Sequence, residues 1–297
     1  MRPYIFRLPE WLGELPSWLG GAQIGGRPIF AYGVMLALSF VLGVTLAYYL
    51  FYRMGADRKR ANLLLILSSL GAIVGARALY FMASSPEPMT MRNFFQFQEG
   101  GLVAYGGFLG GIVASLLAEI WIRADWRTLA DGVAPVLALG TGVTRFGCFL
   151  FGCDFGKRWD GWLAVRFPHW DNPSVAAWIP GGSPAFKQHF RLPSERLAEI
   201  ASDPVIPTQL LMSLNGFVCF ALLMLWLPYR RFRGQMMLVF LGYYAITRFL
   251  VEFLRGDKIR GTSTLGLPMS TSQAVSLGLV LVIVPLWLWF SRRQITD

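Results

Sequence analysis

The sequence predicts an all-α polytopic membrane protein, with seven transmembrane helices and a small extracytoplasmic head segment between spans four and five. Three observations predict it. Hydrophobic residues make up 55% of the 297 residues and charged residues only 15%, against about 25% charged in soluble domains. Seven apolar runs approach or exceed the ~20 residues that cross a bilayer as a helix. Lysine and arginine gather in the short connections between those runs, as topology determinants do.

Residues 1–28 lack a short apolar core followed by a small-residue cleavage site, so they do not read as a signal peptide. Tyr4, Phe6, Leu8, Trp11, Leu12, Trp18 and Leu19 alternate there with Pro9, Pro16 and charges. Two forms fit equally: an irregular arm, or a helix lying in the membrane interface. The spans are expected near Ile29–Tyr52, Asn62–Met82, Leu102–Ile122, Thr128–Gly152, Thr208–Leu227, Gly234–Leu254 and Ser272–Phe290. The organisation is then an arm (1–28), spans one to four (29–156), a head segment (157–207), and spans five to seven with a short tail (208–297). The head segment is rich in proline and tryptophan (Trp159, Trp162, Trp170, Trp178), and Ser194–Ala201 is expected to form a short helix.

Orientation follows from the basic loops. Arg53, Arg58, Lys59 and Arg60 follow span one; Arg123 and Arg127 follow span three; Arg230, Arg231 and Arg233 follow span five; Arg292 and Arg293 follow span seven. With seven spans these four loops share one side, which the positive-inside rule makes cytoplasmic. The N-terminus and head segment then lie outside and the C-terminus inside. Arg255, Lys258 and Arg260 fall outside against the rule, as basic residues that bind an anionic headgroup would. The net charge of +10 is therefore spent on topology and lipid headgroups, not on nucleic acid. Three cysteines and two histidines provide no zinc spacing and no disulfide scaffold.

The chemistry concentrates in Thr141–Gly156, TGVTRFGCFLFGCDFG. A guanidinium within a span costs at least ~2.5–3.5 kcal/mol, so Arg145 requires an internal anionic partner or a ligand. Thr141, Arg145, Cys148 and Gly152 share one helical face. Gly152 and Gly156 would let the backbone bend and approach a ligand closely. The bland alternative is a structural arginine paired with a neighbouring helix.

In span six, Tyr244, Arg248, Glu252 and Arg255 stack at intervals of four, four and three, and Arg248 with Glu252 can pair within the helix. Two arginines share one acid there. Together with Arg145 and with Arg77 in span two, the positive surplus suits a phosphate, which arginine grips with two donors. In GGLVAYGGFLGG, Gly106 and Gly110, like Gly107 and Gly111, form small-xxx-small patterns for close helix packing. Tyr105 sits at the outer mouth of that span, where an anchoring and a catalytic role are equally compatible. Thr208 and Ser270 begin apolar runs as capping residues do, and Gln209 and Gln273 beside them carry amide donors for a headgroup. Cys148 and Cys153 read as small packing residues; a disulfide between them would require the helix to end in between. Cys219 reads as core.

Together AYGVM at Ala31, GARALY at Gly75, GGLVAYGGFLGG at Gly100, RFGCFLFGCDFG at Arg145, PTQL at Pro207, RFLVEFLRGD at Arg248 and STSQ at Ser270 resemble the prolipoprotein diacylglyceryl transferases of the bacterial cytoplasmic membrane. The likeness covers nearly the whole chain, in order. It implies transfer of a diacylglyceryl group from phosphatidylglycerol to the lipobox cysteine thiol of a prolipoprotein signal peptide, with release of glycerol 1-phosphate and without metal or cofactor. By position, Arg145 matches the phosphatidylglycerol-binding arginine and Arg248 the essential arginine of span six. Glu252 and Arg255 match its neighbours, and Tyr32 the tyrosine of span one. Two departures stand out. Tyr105 occupies the place of a histidine; tyrosine has an unperturbed pKa of ~10 and is a poorer base near neutrality. Cys148 and Phe151 replace asparagines.

Other classes fit less well. A small-solute transporter predicts an internal repeat, and none is visible. A rhomboid-like protease needs a histidine within a span, and a retinal protein a lysine in the last span; both are missing. A relative that binds lipid or signal peptide without catalysis is compatible with Tyr105.

Overall fold

The computed structural model describes residues 4–13, 25–26, 28–83, 89–95, 103–122, 126–169, 182–190, 201–256 and 269–292. Its main elements are helices, numbered here in chain order: α1 (Ala31–Arg53), α2 (Arg58–Ala83), α3 (Met91–Phe95), α4 (Ala104–Ile122), α5 (Trp126–Phe151), α6 (Pro184–His189), α7 (Thr208–Trp226), α8 (Gln235–Glu252) and α9 (Thr271–Ser291). A long helix stands at each expected span. Five of them, α1, α2, α5, α7 (extended by a 3₁₀ turn to Tyr229) and α9, are long and apolar enough to cross a membrane. In α4 the apolar stretch is the shorter Gly106–Ala118, and α8 carries Arg248 and Glu252. Large apolar side chains face outward, among them Phe40 (57% exposed), Leu214 (62%) and Leu281 (68%). Polar side chains such as Gln209, Arg248 and Ser272 are buried. That distribution suits a lipid solvent, where outward apolar side chains carry no hydrophobic penalty and backbone polar groups must be satisfied within the helix.

The N-terminal arm corrects the sequence reading. Tyr4–Arg7 (β1) pairs antiparallel with Pro28–Phe30 (β2), with an irregularity between Tyr4 and Phe6, and a 3₁₀ turn follows at Glu10–Leu12. Among its described residues, 4–13, 25–26 and 28, the arm is a strand and a 3₁₀ turn rather than irregular chain or an interfacial helix. Its alternation of apolar residues has the two-residue period of a strand. A small β-ribbon thus joins the otherwise helical fold.

The chain forms two compact units. One comprises Met1–Glu14, Gln23–Gly43 and Val133–Asp297, the other Leu15–Ala22 and Val44–Gly132. In the second unit, α2 and α4 interlock through glycine. A Cβ on Gly106 would lie 2.3 Å from the carbonyl oxygen of Gly75, and one on Gly110 would lie 2.2 Å from that of Gly71. The expected Gly106-xxx-Gly110 pattern therefore meets a second one, Gly71-xxx-Gly75, on α2. Ser68 and Ser115 join the same helices through their hydroxyls at 2.8 Å. Only glycine permits such backbone approach, and in lipid this packing is the main source of helix association.

In the first unit α5 and α7 approach at Gly142 and Gly216, where a Cβ on Gly216 would lie 2.5 Å from the Gly142 nitrogen. Ser213 donates to the Gly142 carbonyl at 2.7 Å. Tyr243 on α8 donates to Asn215 Oδ1 on α7 at 2.6 Å. Phe167, Ala185 and Val205 of the 157–207 segment are buried together with Phe155, and Phe149 at the end of α5 packs against them. The helix expected at Ser194–Ala201 lies outside the described residues except Ala201, which is extended and bridges Pro168.

Candidate active site

Helix α5 ends where its glycine permits. Gly152, at φ 84°, turns the chain left-handed, and the amides of Gly152 and Cys153 both donate to the Cys148 carbonyl, at 2.8 and 3.2 Å. This glycine-terminated ending throws the following residues back across the helix. Asp154 itself adopts φ 58°, a region that asparagine and aspartate tolerate better than most side chains. Its carboxylate faces Arg145: Arg145 Nη1 lies 2.6 Å from Asp154 Oδ2. Arg255, just past α8, takes the other oxygen, Oδ1, through Nη2. The anionic partner that Arg145 requires is thus Asp154, nine residues on, and it is shared with a second arginine.

Backbone pairing fixes this clamp. Gly156 N donates to the Ile206 carbonyl (2.9 Å), Lys157 N to that of Leu254 (2.8 Å), and Gly256 N to that of Phe155 (3.1 Å). Residues 155–157 therefore run between the start of α7 and the end of α8. A Cβ on Gly156 would meet Ile206 O at 2.6 Å and Leu254 O at 3.0 Å. The first turn of α7 holds the carbonyls before it: Thr208 Oγ1 donates to Asp154 O and Gln209 Nε2 to Cys153 O, both at 2.7 Å. Thr208 is therefore not an N-cap; Pro207 occupies that position. One amide N–H of Gln209 is committed to Cys153 O. Gln209 is fully buried, and Oε1 has no hydrogen-bond partner among the described residues.

Arg248 pairs with Glu252 at 2.5 Å within α8, as the spacing predicts. It also donates to Ser272 Oγ on α9 at 2.7 Å. Ser270 caps α9 in a reciprocal box with Gln273: Gln273 N donates to Ser270 Oγ and Ser270 N to Gln273 Oε1. Tyr32 opens α1, half-buried against Phe151, with ring centroids 6.5 Å apart. It lies within electrostatic reach of Arg145, Cys148, Cys153 and Asp154. Arg145 in turn interacts with Tyr244, one turn before Arg248, and with Arg255. Tyr32, Arg145, Gly152, Gly156, Gln209, Arg248, Glu252 and Arg255 thus all belong to one unit. Three guanidiniums and two carboxylates leave one positive charge in excess among these pairs.

Arg77 and Tyr105 belong to the other unit. Arg77 is buried; Nε donates to the Phe94 carbonyl (3.0 Å) and Nη2 to that of Asn93 (2.7 Å). Its guanidinium lies over the rings of Tyr80 and Phe81. These contacts hold the 89–95 segment onto α2. Tyr105 stands in the first turn of α4, and its side chain lies outside the described residues. Two open clefts, of about 390 and 430 Å³, lie at the opposite end of α7, around Trp226 and Tyr229, away from Asp154.

The sequence reading missed Asp154 and Ser272 as site residues. An acid two residues past a glycine-terminated helix that contains a buried arginine is the signal that points to Asp154. Cys148 Sγ, Cys153 Sγ and a carboxylate oxygen of Asp154 also lie within 4.8 Å of one another. A cation there would sit beside Arg145 and Arg255, which hold the same carboxylate, so the electrostatics favour an anion.

Comparison with known proteins shows the family. The family model "Prolipoprotein diacylglyceryl transferase" matches residues 21–289. The chain belongs to the prolipoprotein diacylglyceryl transferase family. It is 30% identical over 262 residues to phosphatidylglycerol–prolipoprotein diacylglyceryl transferase 2 of Clostridium perfringens, covering 86% of this chain and 88% of the relative. It is 31% identical over 286 residues to the phosphatidylglycerol–prolipoprotein diacylglyceryl transferase of Paraburkholderia xenovorans, covering 91% and 92%. The enzyme of the same name from Neisseria gonorrhoeae is 32% identical over 262 residues, covering 84% and 88%. The arginine–carboxylate cluster described above falls inside the matched residues.

Proposed function

We propose that this protein transfers the diacylglyceryl group of phosphatidylglycerol to the lipobox cysteine thiol of prolipoprotein signal peptides, the first step of bacterial lipoprotein maturation. The observation that carries the reading is the shared carboxylate: Arg145 and Arg255, from separate segments, both grip Asp154. Two guanidiniums that converge on one oxyanion can converge on a phosphate. With Arg248 they leave a positive excess that a phosphodiester monoanion neutralises.

In this reaction the lipobox thiolate attacks the glyceryl carbon that bears the phosphate. The carbon–oxygen bond breaks, its electron pair leaves with glycerol 1-phosphate, and a thioether forms. Charge grows on the departing phosphate, and preorganised arginine donors stabilise it more than the ground state. Arg145 and Arg255 hold the phosphate while Asp154 yields part of their hydrogen bonding. Arg248 supplies further positive charge, kept in place by Glu252 and Ser272. The spare Gln209 oxygen accepts a hydroxyl of the glycerol headgroup. Gly152 and Gly156 keep the backbone close enough for that approach. Arg77 is assigned to headgroup binding for its positive charge within span two, and Tyr105 to accepting or relaying a proton for its place at the family's histidine; the half-buried Tyr32 beside Arg145 is a second hydroxyl for proton relay.

In the bilayer, α1, α2, α4, α5, α7, α8 and α9 are the seven spans of the bacterial inner membrane protein. The N-terminus and residues 157–207 face outward and the C-terminus the cytoplasm. The test is turnover by purified protein in phosphatidylglycerol vesicles with a lipobox peptide. The expected products are a thioether-linked diacylglyceryl peptide and glycerol phosphate in equal amounts. Arg145→Ala and Arg248→Ala should each lose at least about 10²-fold, as removal of a transition-state donor does. Folded protein that binds phosphatidylglycerol or peptide but yields neither product would make it a non-catalytic binder instead.

A further inference from the structure

The glycine-terminated end of α5 brings together two thiols that the transfer mechanism does not use. In such an ending the residue four before the left-handed glycine and the residue after it make a side-chain contact across the last turn. Here those residues are Cys148 and Cys153. The amides of Gly152 and Cys153 both donate to Cys148 O, which folds Cys153 back toward Cys148. The two sulfurs lie within 4.8 Å of each other, and Cys153 Sγ approaches Cys148 O at 3.9 Å. Both cysteines are free thiols, Cys148 buried and Cys153 partly exposed. The condition for a disulfide, a helix that ends between them, is met by the fold.

We infer that Cys148 and Cys153 form a reversible dithiol–disulfide site, oxidised by a disulfide-bearing oxidant, small molecule or protein, that reaches the head-segment end of α5. The more exposed Cys153, as thiolate, attacks the oxidant's disulfide and one oxidant sulfur leaves as thiolate. Cys148, as thiolate, then attacks the Cys153 sulfur of the mixed disulfide and the second oxidant sulfur leaves. Two electrons pass to the oxidant, and the two thiol protons end on its two thiolates. The orientation proposed above puts this end of α5 on the side where such oxidants operate.

The consequence for binding rests on the proposed function. Asp154 follows Cys153 directly and receives both Arg145 and Arg255. For a phosphate to enter, the Asp154 carboxylate must give up part of that grip. A Cys148–Cys153 bridge tethers the backbone at its neighbour and restrains that movement. The oxidised form therefore binds phosphatidylglycerol more weakly than the dithiol form.

The experiment uses full-length protein in phosphatidylglycerol-containing nanodiscs, treated with oxidised glutathione and then with dithiothreitol. Differential alkylation and peptide mass spectrometry read the bridge, and transfer kinetics read KM and kcat. The expected result is a Cys148–Cys153 disulfide, a several-fold higher KM for phosphatidylglycerol, and reversal by dithiothreitol; Cys153→Ser abolishes the oxidant response. Persistent alkylation of Cys153 under oxidant, or glutathione retained on Cys153 without closure, overturns the dithiol site. A bridge with unchanged KM overturns its coupling to Asp154. Absence of turnover in both redox forms would refute the proposed function, while the mapped disulfide still decides the thiol chemistry.

Discussion

Asp154→Asn removes a charge while nearly preserving shape, so it isolates what the shared carboxylate does. In the native chain that carboxylate is held by Arg145 at 2.6 Å and by Arg255, with its own side chain 19% exposed. Arg145 is exposed to the same extent and Arg255 to 3%. Removing one partner of a buried ion pair costs about 3–5 kcal/mol, because the remaining charge stays desolvated. Partial exposure of Asp154 and Arg145 lowers this, and an asparagine oxygen still accepts one hydrogen bond, so about 2–3 kcal/mol is expected. The excess positive charge rises from one to two. An anionic lipid should then restore what the substitution removes, because a ligand that binds only the folded state stabilises it by mass action. The assay is thermal unfolding of wild type and Asp154→Asn in zwitterionic detergent, with and without phosphatidylglycerol. The variant should melt lower without the anionic lipid and gain more than wild type from its addition. Equal melting of the two proteins in its absence would refute the argument, since the two guanidiniums would then not depend on this carboxylate.

Three further outcomes are expected. Gly156→Ala inserts a methyl 2.6 Å from the Ile206 carbonyl oxygen; backbone must shift, at about 1–3 kcal/mol, and turnover falls with melting temperature. A variant of full stability and activity would contradict this. Gly106→Ala places a methyl 2.3 Å from Gly75 O and should loosen α2 from α4 by a similar ~1–3 kcal/mol, read as faster protease cleavage between those helices; an unchanged cleavage rate would count against the glycine interlock. His189 lies in the 157–207 segment, where burial pushes its imidazole below its ordinary 6.5, Arg158 adds to that, and Asp203, 3.8 Å from Nδ1, opposes it. The unfolded chain binds the proton more readily, so stability is fully present above the ordinary value and is lost as pH falls through the window below it. Melting curves across that window should show the loss in wild type and not in His189→Gln; parallel curves would exclude His189 as its source.

Much of the fold is legible in the sequence because lipid imposes a one-dimensional rule. A chain that crosses hydrocarbon must satisfy its backbone internally, so each crossing announces itself as a long apolar run. Every helix expected from such a run has its counterpart, and the Arg248–Glu252 pair follows from helical spacing alone. The β-ribbon of the arm was not legible, because its second strand lies over 20 residues away and register is a property of pairing. Thr208 read as a cap because hydroxyls at helix starts usually are; here the bond goes to a carbonyl 54 residues earlier in sequence.

The sequence by itself determined that charges lie within apolar helices, and therefore that Arg145 has to meet an anion. It could not say which one, because the cost of a desolvated charge is fixed by residue type and depth, whereas its partner is fixed by where the chain turns. Only the tertiary structure decided that: the left-handed turn at Gly152 carries Asp154 back over Arg145, and pairing of residues 155–157 with the ends of α7 and α8 brings Arg255 to the same carboxylate.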